Sequence, residues 1–156
     1  MVGRVAYTTA DARRQLLDTV AEAADELAAA LASLSEAYEQ LDDASGERLE
    51  QELFGAVQSA YGRARRTYSE FAKRHGLEQH DFHPAVRGAP GRGVKAFLED
   101  ATDAVRRADG TLGTLQDSML PVEVGDPELR AGLAQVRELL GGVESRARNF
   151  ERTLGR

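Results

Sequence analysis

The sequence predicts an all-α protein folded as one four-helix bundle, and three observations predict it. Ala, Glu, Lys, Leu and Arg make up half of the 156 residues, a share that marks long helices when it carries a helical period. Ile, Trp and Cys are missing and aromatics are 6% of the chain, which disfavours sandwiches and barrels built on β-branched and aromatic residues. Apolar residues also recur at alternating spacings of three and four along four separate stretches, the pattern of helices packed in a left-handed bundle.

Helix one is expected over about 9–42. Its stripe runs Leu17, Val20, Ala24, Leu27, Leu31, Leu34, Tyr38, Leu41, and Thr8-Thr9-Ala10-Asp11 reads as a capping box at its start. Residues 1–7 precede the pattern and are expected to be flexible. Asp42-Asp43-Ala44-Ser45-Gly46 breaks the helix, with Ser45 placed to cap helix two over about 46–75. That helix carries Phe54, Val57, Tyr61, Ala64, Tyr68 and Phe71, plus a flanking stripe of Leu49, Leu53, Ala56 and Ala60. The flanking stripe, with Leu16, Phe97 and Leu139 elsewhere, either widens the core or supplies a dimer surface. Gly76 after Arg74 and His75 is the usual end of a helix.

Helix three is expected over about 93–119, on Val94, Leu98, Ala101, Val105, Ala108, Leu112, Leu115 and Met119. Asp126-Pro127-Glu128 supplies a cap, a proline at the first helical position and an acid in the first turn. Helix four therefore covers about 127–154, on Leu129, Leu133, Val136, Leu140, Val143, Ala147, Phe150 and Leu154. Gly141-Gly142 is where a kink is expected. All 156 residues form one domain. Short first and third connections make antiparallel hairpins of helices one–two and three–four. The long loop, 77–92, permits a crossover, but up-down-up-down is the simpler arrangement and is the one expected.

Composition removes several function classes. Without Cys there is no disulfide, thiolate metal site or cysteine nucleophile. No Glu has a His three residues on, as a di-iron bundle needs. A haem would need His75 or Met119 as an inward ligand, and they are read instead as a helix-terminal His and a core Met. No phosphate-loop, zincin or nucleophile-elbow motif occurs. The chain is therefore read as not an enzyme and as needing no cofactor. The start of the sequence has no apolar core of the signal-peptide kind, and no run is long enough to span a membrane. A cytoplasmic location is expected. A net charge of −6 works against nucleic acid as a partner.

Charge and histidine placement carry what functional signal there is. Residues 18–52 hold eleven acids and one base, and residues 53–95 hold eight bases and three acids. In up-down-up-down these segments extend into an acidic and a basic pole, suited to docking a protein partner or a second copy. The expected function is thus a non-catalytic scaffold or adaptor module. The alternative is a binding protein for a small anion, metal or nucleic acid that uses the 75–95 loop. Its anion-binding or partner-binding residues would be Arg63, Arg66, Arg74, Arg87, Arg92 and Lys95. His75, His80 and His83 are its weak metal candidates, His80 and His83 flanking Asp81 at a spacing that could chelate zinc or nickel.

Overall fold

The computed structural model describes residues 2–82 and 91–154, with side chains from Thr9 onward. The described residues form four rods and no strand. Rod one is α1 (Val2–Glu39). Rod two is α2 (Asp43–Leu49), a π-helical turn (Glu50–Phe54) and α3 (Gly55–His75). Rod three is α4 (Val94–Asp117), followed by the short α5 (Leu120–Val124). Rod four is α6 (Pro127–Leu140) and α7 (Val143–Leu154).

The boundaries follow local chemistry, with some corrections. The backbone is helical from Val2, so Thr8–Asp11 lies inside α1 rather than at its start. Rod two is capped by Asp42 rather than Ser45. The Asp42 carboxylate accepts the Ser45 N–H at 2.7 Å, and the helix opens three residues early. Rod three stops at Asp117 because Ser118 turns to extended backbone and Pro121 follows. Rod four opens on Asp126 and Pro127 as expected and breaks at Gly141-Gly142, where Gly142 takes φ 85°.

The rods run up-down-down-up, not up-down-up-down. The Gln40 amide donates to the Arg92 carbonyl, and Arg107 pairs with Glu26 at 3.0 Å, so rod three lies antiparallel to rod one. Arg74 at the end of rod two pairs with Asp126 at the start of rod four, and Arg146 donates to the Glu52 carbonyl. Rods two and three are therefore parallel, and the connection between them traverses the length of the bundle. The long loop allows either topology. This one sets Arg146, Arg148, Arg152, Arg92 and Lys95 at the end that holds Glu36, Glu39, Asp42 and Glu47, so opposite charges share an end.

One continuous core joins all four rods. Most expected stripe positions are buried, and Leu31, Leu41, Phe54, Tyr61, Val94 and Leu154 are half-buried against them. Leu16, Leu49, Leu53, Ala60 and Phe97 are buried too, so the flanking stripe widens the core, with Leu139 packed half-buried against it. Two stripe ends differ from expectation. Met119 is 62% exposed because rod three has already ended, and Tyr38 is 48% exposed at the hairpin turn. No helix among the described residues is long and apolar enough to cross a membrane.

Candidate functional site

The six cations read from the sequence do not form one site. Arg63, Arg66 and Arg74 lie towards the end of rod two, while Arg92 and Lys95 begin rod three at the opposite end of the bundle. Arg87 lies outside the described residues. Arg92 is held by Asp100 and lies over the Phe97 ring. Arg74 is held by Asp126 and Glu128, each at 2.8 Å. Among the described residues Arg66 has no ion-pair partner, and the Arg63 Nε is buried without a hydrogen-bond partner.

The histidines separate in the same way. His83 lies outside the described residues. The His75 Nε2 sits 2.9 Å from Asp126, and its ring packs 4.5 Å from Phe71. His80 folds back on rod two. Its backbone N–H donates to the Tyr68 hydroxyl at 3.0 Å, and its Nδ1 lies 3.3 Å from the same oxygen. Phe82 stands edge-on to Tyr68, and the Arg65 guanidinium lies over both Tyr61 and Phe82. Arg14 donates to the Glu78 carbonyl at 2.9 Å. These contacts bind the start of the crossover to the rod one–rod two face. Among the described residues no three His, Asp or Glu side chains converge as metal ligands.

Among the described residues Asp126 is the one buried charged side chain, 5% exposed. Its carboxylate accepts the Leu129 N–H at 2.9 Å, both Arg74 nitrogens at 2.8 and 3.0 Å, and contacts His75. Burial works to raise its pKa, but the Leu129, His75 and Arg74 hydrogen bonds outweigh burial and hold the carboxyl below its ordinary range. With its acceptor sites filled, it serves as a clasp between rods two and four.

A groove of about 710 Å³ lies along α4, α6 and α7 at the Gly141-Gly142 break. Its charges answer one another: Arg137 pairs with Asp109, and Arg106 and Arg148 with Glu144.

The hairpin end of rods one and two is different. A notch of about 360 Å³ is lined by Ser35, Tyr38, Glu39, Glu50 and Phe54. Its floor follows from local sequence. The Tyr38 ring packs closely over Gly46, where a Cβ would stand 3.1 Å from it. Phe54 closes the π-helical turn, in which the Gly55 N–H reaches five residues back to the Glu50 carbonyl. Such turns carry an extra residue and often mark functional sites. Two of the notch's lining side chains are acids, Glu39 and Glu50. Asp42 is held below its ordinary pKa by the Ser45 N–H and stays ionised. Sequence reading placed Tyr38 on an inward seam. The cue that it is different is its position in the last turn before the break at Gln40–Asp42.

No family model, no curated protein and no solved structure matches this chain.

Proposed function

We propose that the chain is a cytoplasmic, non-catalytic interaction module that docks a basic protein segment on the acidic end of its first hairpin. The observation that carries this reading is Tyr38, 48% exposed beside Phe54 in a notch lined also by the Glu39 and Glu50 carboxylates. Tyrosine is a favoured interface anchor because it brings large contact area at low entropic cost. The two acids complement Lys or Arg side chains and speed encounter with them. Docking through two whole poles is replaced by this local site, since rods three and four bring cations to the same end. The alternative reading, an anion or metal site on the 75–95 loop, has less support because its residues are split between the two ends or already engaged.

The test is fluorescence anisotropy with a labelled peptide of alternating arginine and leucine. Binding is expected to weaken at least about tenfold in Tyr38→Ala and in Glu50→Lys, the scale of one interface anchor, and to weaken with added salt. Circular dichroism should show both variants folded, because each side chain is solvent-facing. Equal affinity for wild type and both variants overturns the reading.

A further inference from the structure

The outward face of rod two continues from this notch and, among the described residues, packs against no other helix. Before the π-helical turn it presents Glu47, Glu50 and Gln51. After it come Gly55, Ser59, Gly62, Arg66, Ser69 and Lys73, spaced by threes and fours on the side opposite the buried Val57, Ala60, Ala64 and Phe71. The single acid of α3, Glu70, lies on the flank shared with Arg63 and Arg74.

Two features of this face are unexplained within one chain. The first is charge. Arg14, Arg48, Arg74, Arg92, Arg106, Arg107, Arg137 and Arg148 all have carboxylate partners. Among the described residues Arg66 and Lys73 have none, as is true of other surface cations such as Lys95 and Arg130, but here they share one face with Glu47 and Glu50, which have none either. The second is glycine. Each glycine in a helix interior costs about 1 kcal/mol against alanine. A Cβ on Gly62 would meet nothing within 4 Å, and one on Gly55 only its own helix, the Glu50 carbonyl at 3.5 Å. Packing inside the bundle requires neither.

Both features are answered by one symmetry operation. A two-fold axis between Gln58 and Ser59, perpendicular to the rod, reverses the face onto itself. It sets Gly55 of one copy opposite Gly62 of the other, where the missing side chains let two backbones approach. The same operation brings Arg66 and Lys73 against Glu47, Glu50 and Asp43 of the second copy, twice over. It also lays the Tyr38–Phe54 notch beside Arg65 and Tyr61 of the second copy, cation and ring against acid and ring. We infer that two copies of this chain pair antiparallel along rod two as a closed, isologous dimer. The inference rests on the docking reading above and names the basic segment as the second copy's α3. The bundle already covers its own core, and one helix face is small for an interface. The dimer is accordingly reversible, concentration-dependent and weakened by salt.

Sedimentation velocity across a concentration series tests it, with expected growth of a dimer that recedes in high salt. Gly62→Leu, which has open space in the monomer, should keep or raise the melting temperature and abolish the dimer. The pair Arg66→Glu/Lys73→Glu and the pair Glu47→Arg/Glu50→Arg should each weaken dimerisation at least about tenfold. Mixing the two paired variants should restore it, because opposite charges again face each other at both contacts. The chain has no cysteine, so Ser59→Cys gives a single thiol near the axis. It should form an interchain disulfide faster than Ser145→Cys on rod four. A wild-type chain that stays monomeric throughout, or Ser59→Cys that crosslinks no faster than Ser145→Cys, overturns the inference. If the basic peptide still binds the notch in that case, docking survives and only the self-pairing falls. If it does not, both fall.

Discussion

Asp126→Ala is expected to destabilise the fold by about 2–4 kcal/mol, summing a lost N-cap and a broken, largely buried ion pair. The substitution leaves the Leu129 N–H without its acceptor at the start of α6. It also strips Arg74 of its bidentate partner and His75 of its contact, at 29% and 17% side-chain exposure. Arg74 keeps Glu128, which is 71% exposed and screened by water. Asp126→Asn separates the two effects. It can still cap α6 through its carbonyl oxygen but carries no charge for Arg74, so it should lose roughly half as much as the alanine variant. Urea denaturation at neutral pH measures all three proteins.

The pH dependence of that difference has a definite sign. The Asp126 carboxyl is held below its ordinary pKa in the folded state. Its stabilisation is therefore complete above the unfolded value, about 3.9, and is lost as pH falls through the lower folded value. The gap between wild type and Asp126→Ala should close below about pH 4. A gap that remains open at low pH would mean that the carboxylate's charge contributes nothing to the clasp.

How much of this was legible in the sequence depends on how far each feature reaches along the chain. The stripes from Leu17 to Leu34 and from Leu129 to Phe150 are local periodicities, and they bury as the spacing implies. Asp126 as a cap and Gly141-Gly142 as a break are also local, since each is set by residues within one turn. The clasp itself was not legible. It joins Arg74 and His75 to a residue about fifty positions on, and that pairing exists only once the topology is fixed. Loop 77–92 is long enough for either topology, so length could not choose between them. Electrostatics pointed the other way from simplicity, because the crossover spreads like charges apart. Tyr38 and Met119 were misjudged for a related reason. A heptad stripe says which side of a helix faces the core, but not where the neighbouring helices end. The π-helical turn at Glu50–Phe54 leaves the apolar spacing of Leu49, Leu53 and Val57 intact and so gives no sign of itself in the pattern.

Gly132→Ala should destabilise the protein even though alanine is the better helix former. On α6 a Cβ at this position would lie 2.3 Å from the Thr67 hydroxyl oxygen, 2.8 Å from its methyl and 3.1 Å from its Cβ. Thr67 is itself 3% exposed and anchored on α3, so rods two and four must separate to make room. The helix gains about 1 kcal/mol from the substitution. Overpacking a close-packed interior costs about 1–3 kcal/mol and occasionally more, and contacts this short belong at the upper end. A net loss of about 1–3 kcal/mol in urea denaturation is the expected result. Thr67→Ala supplies the control. The Thr67 hydroxyl is buried without a hydrogen-bond partner, so deleting it removes an unsatisfied group along with a methyl and should cost little. Combined with Gly132→Ala it leaves only the 3.1 Å Cβ contact, which a shift of a few tenths of an ångström relieves. The double variant should recover most of the loss, a coupling of about 1–2 kcal/mol between neighbours. Strict additivity would show that rods two and four do not meet at this pair, and the antiparallel packing of α3 on α6 would lose its closest contact.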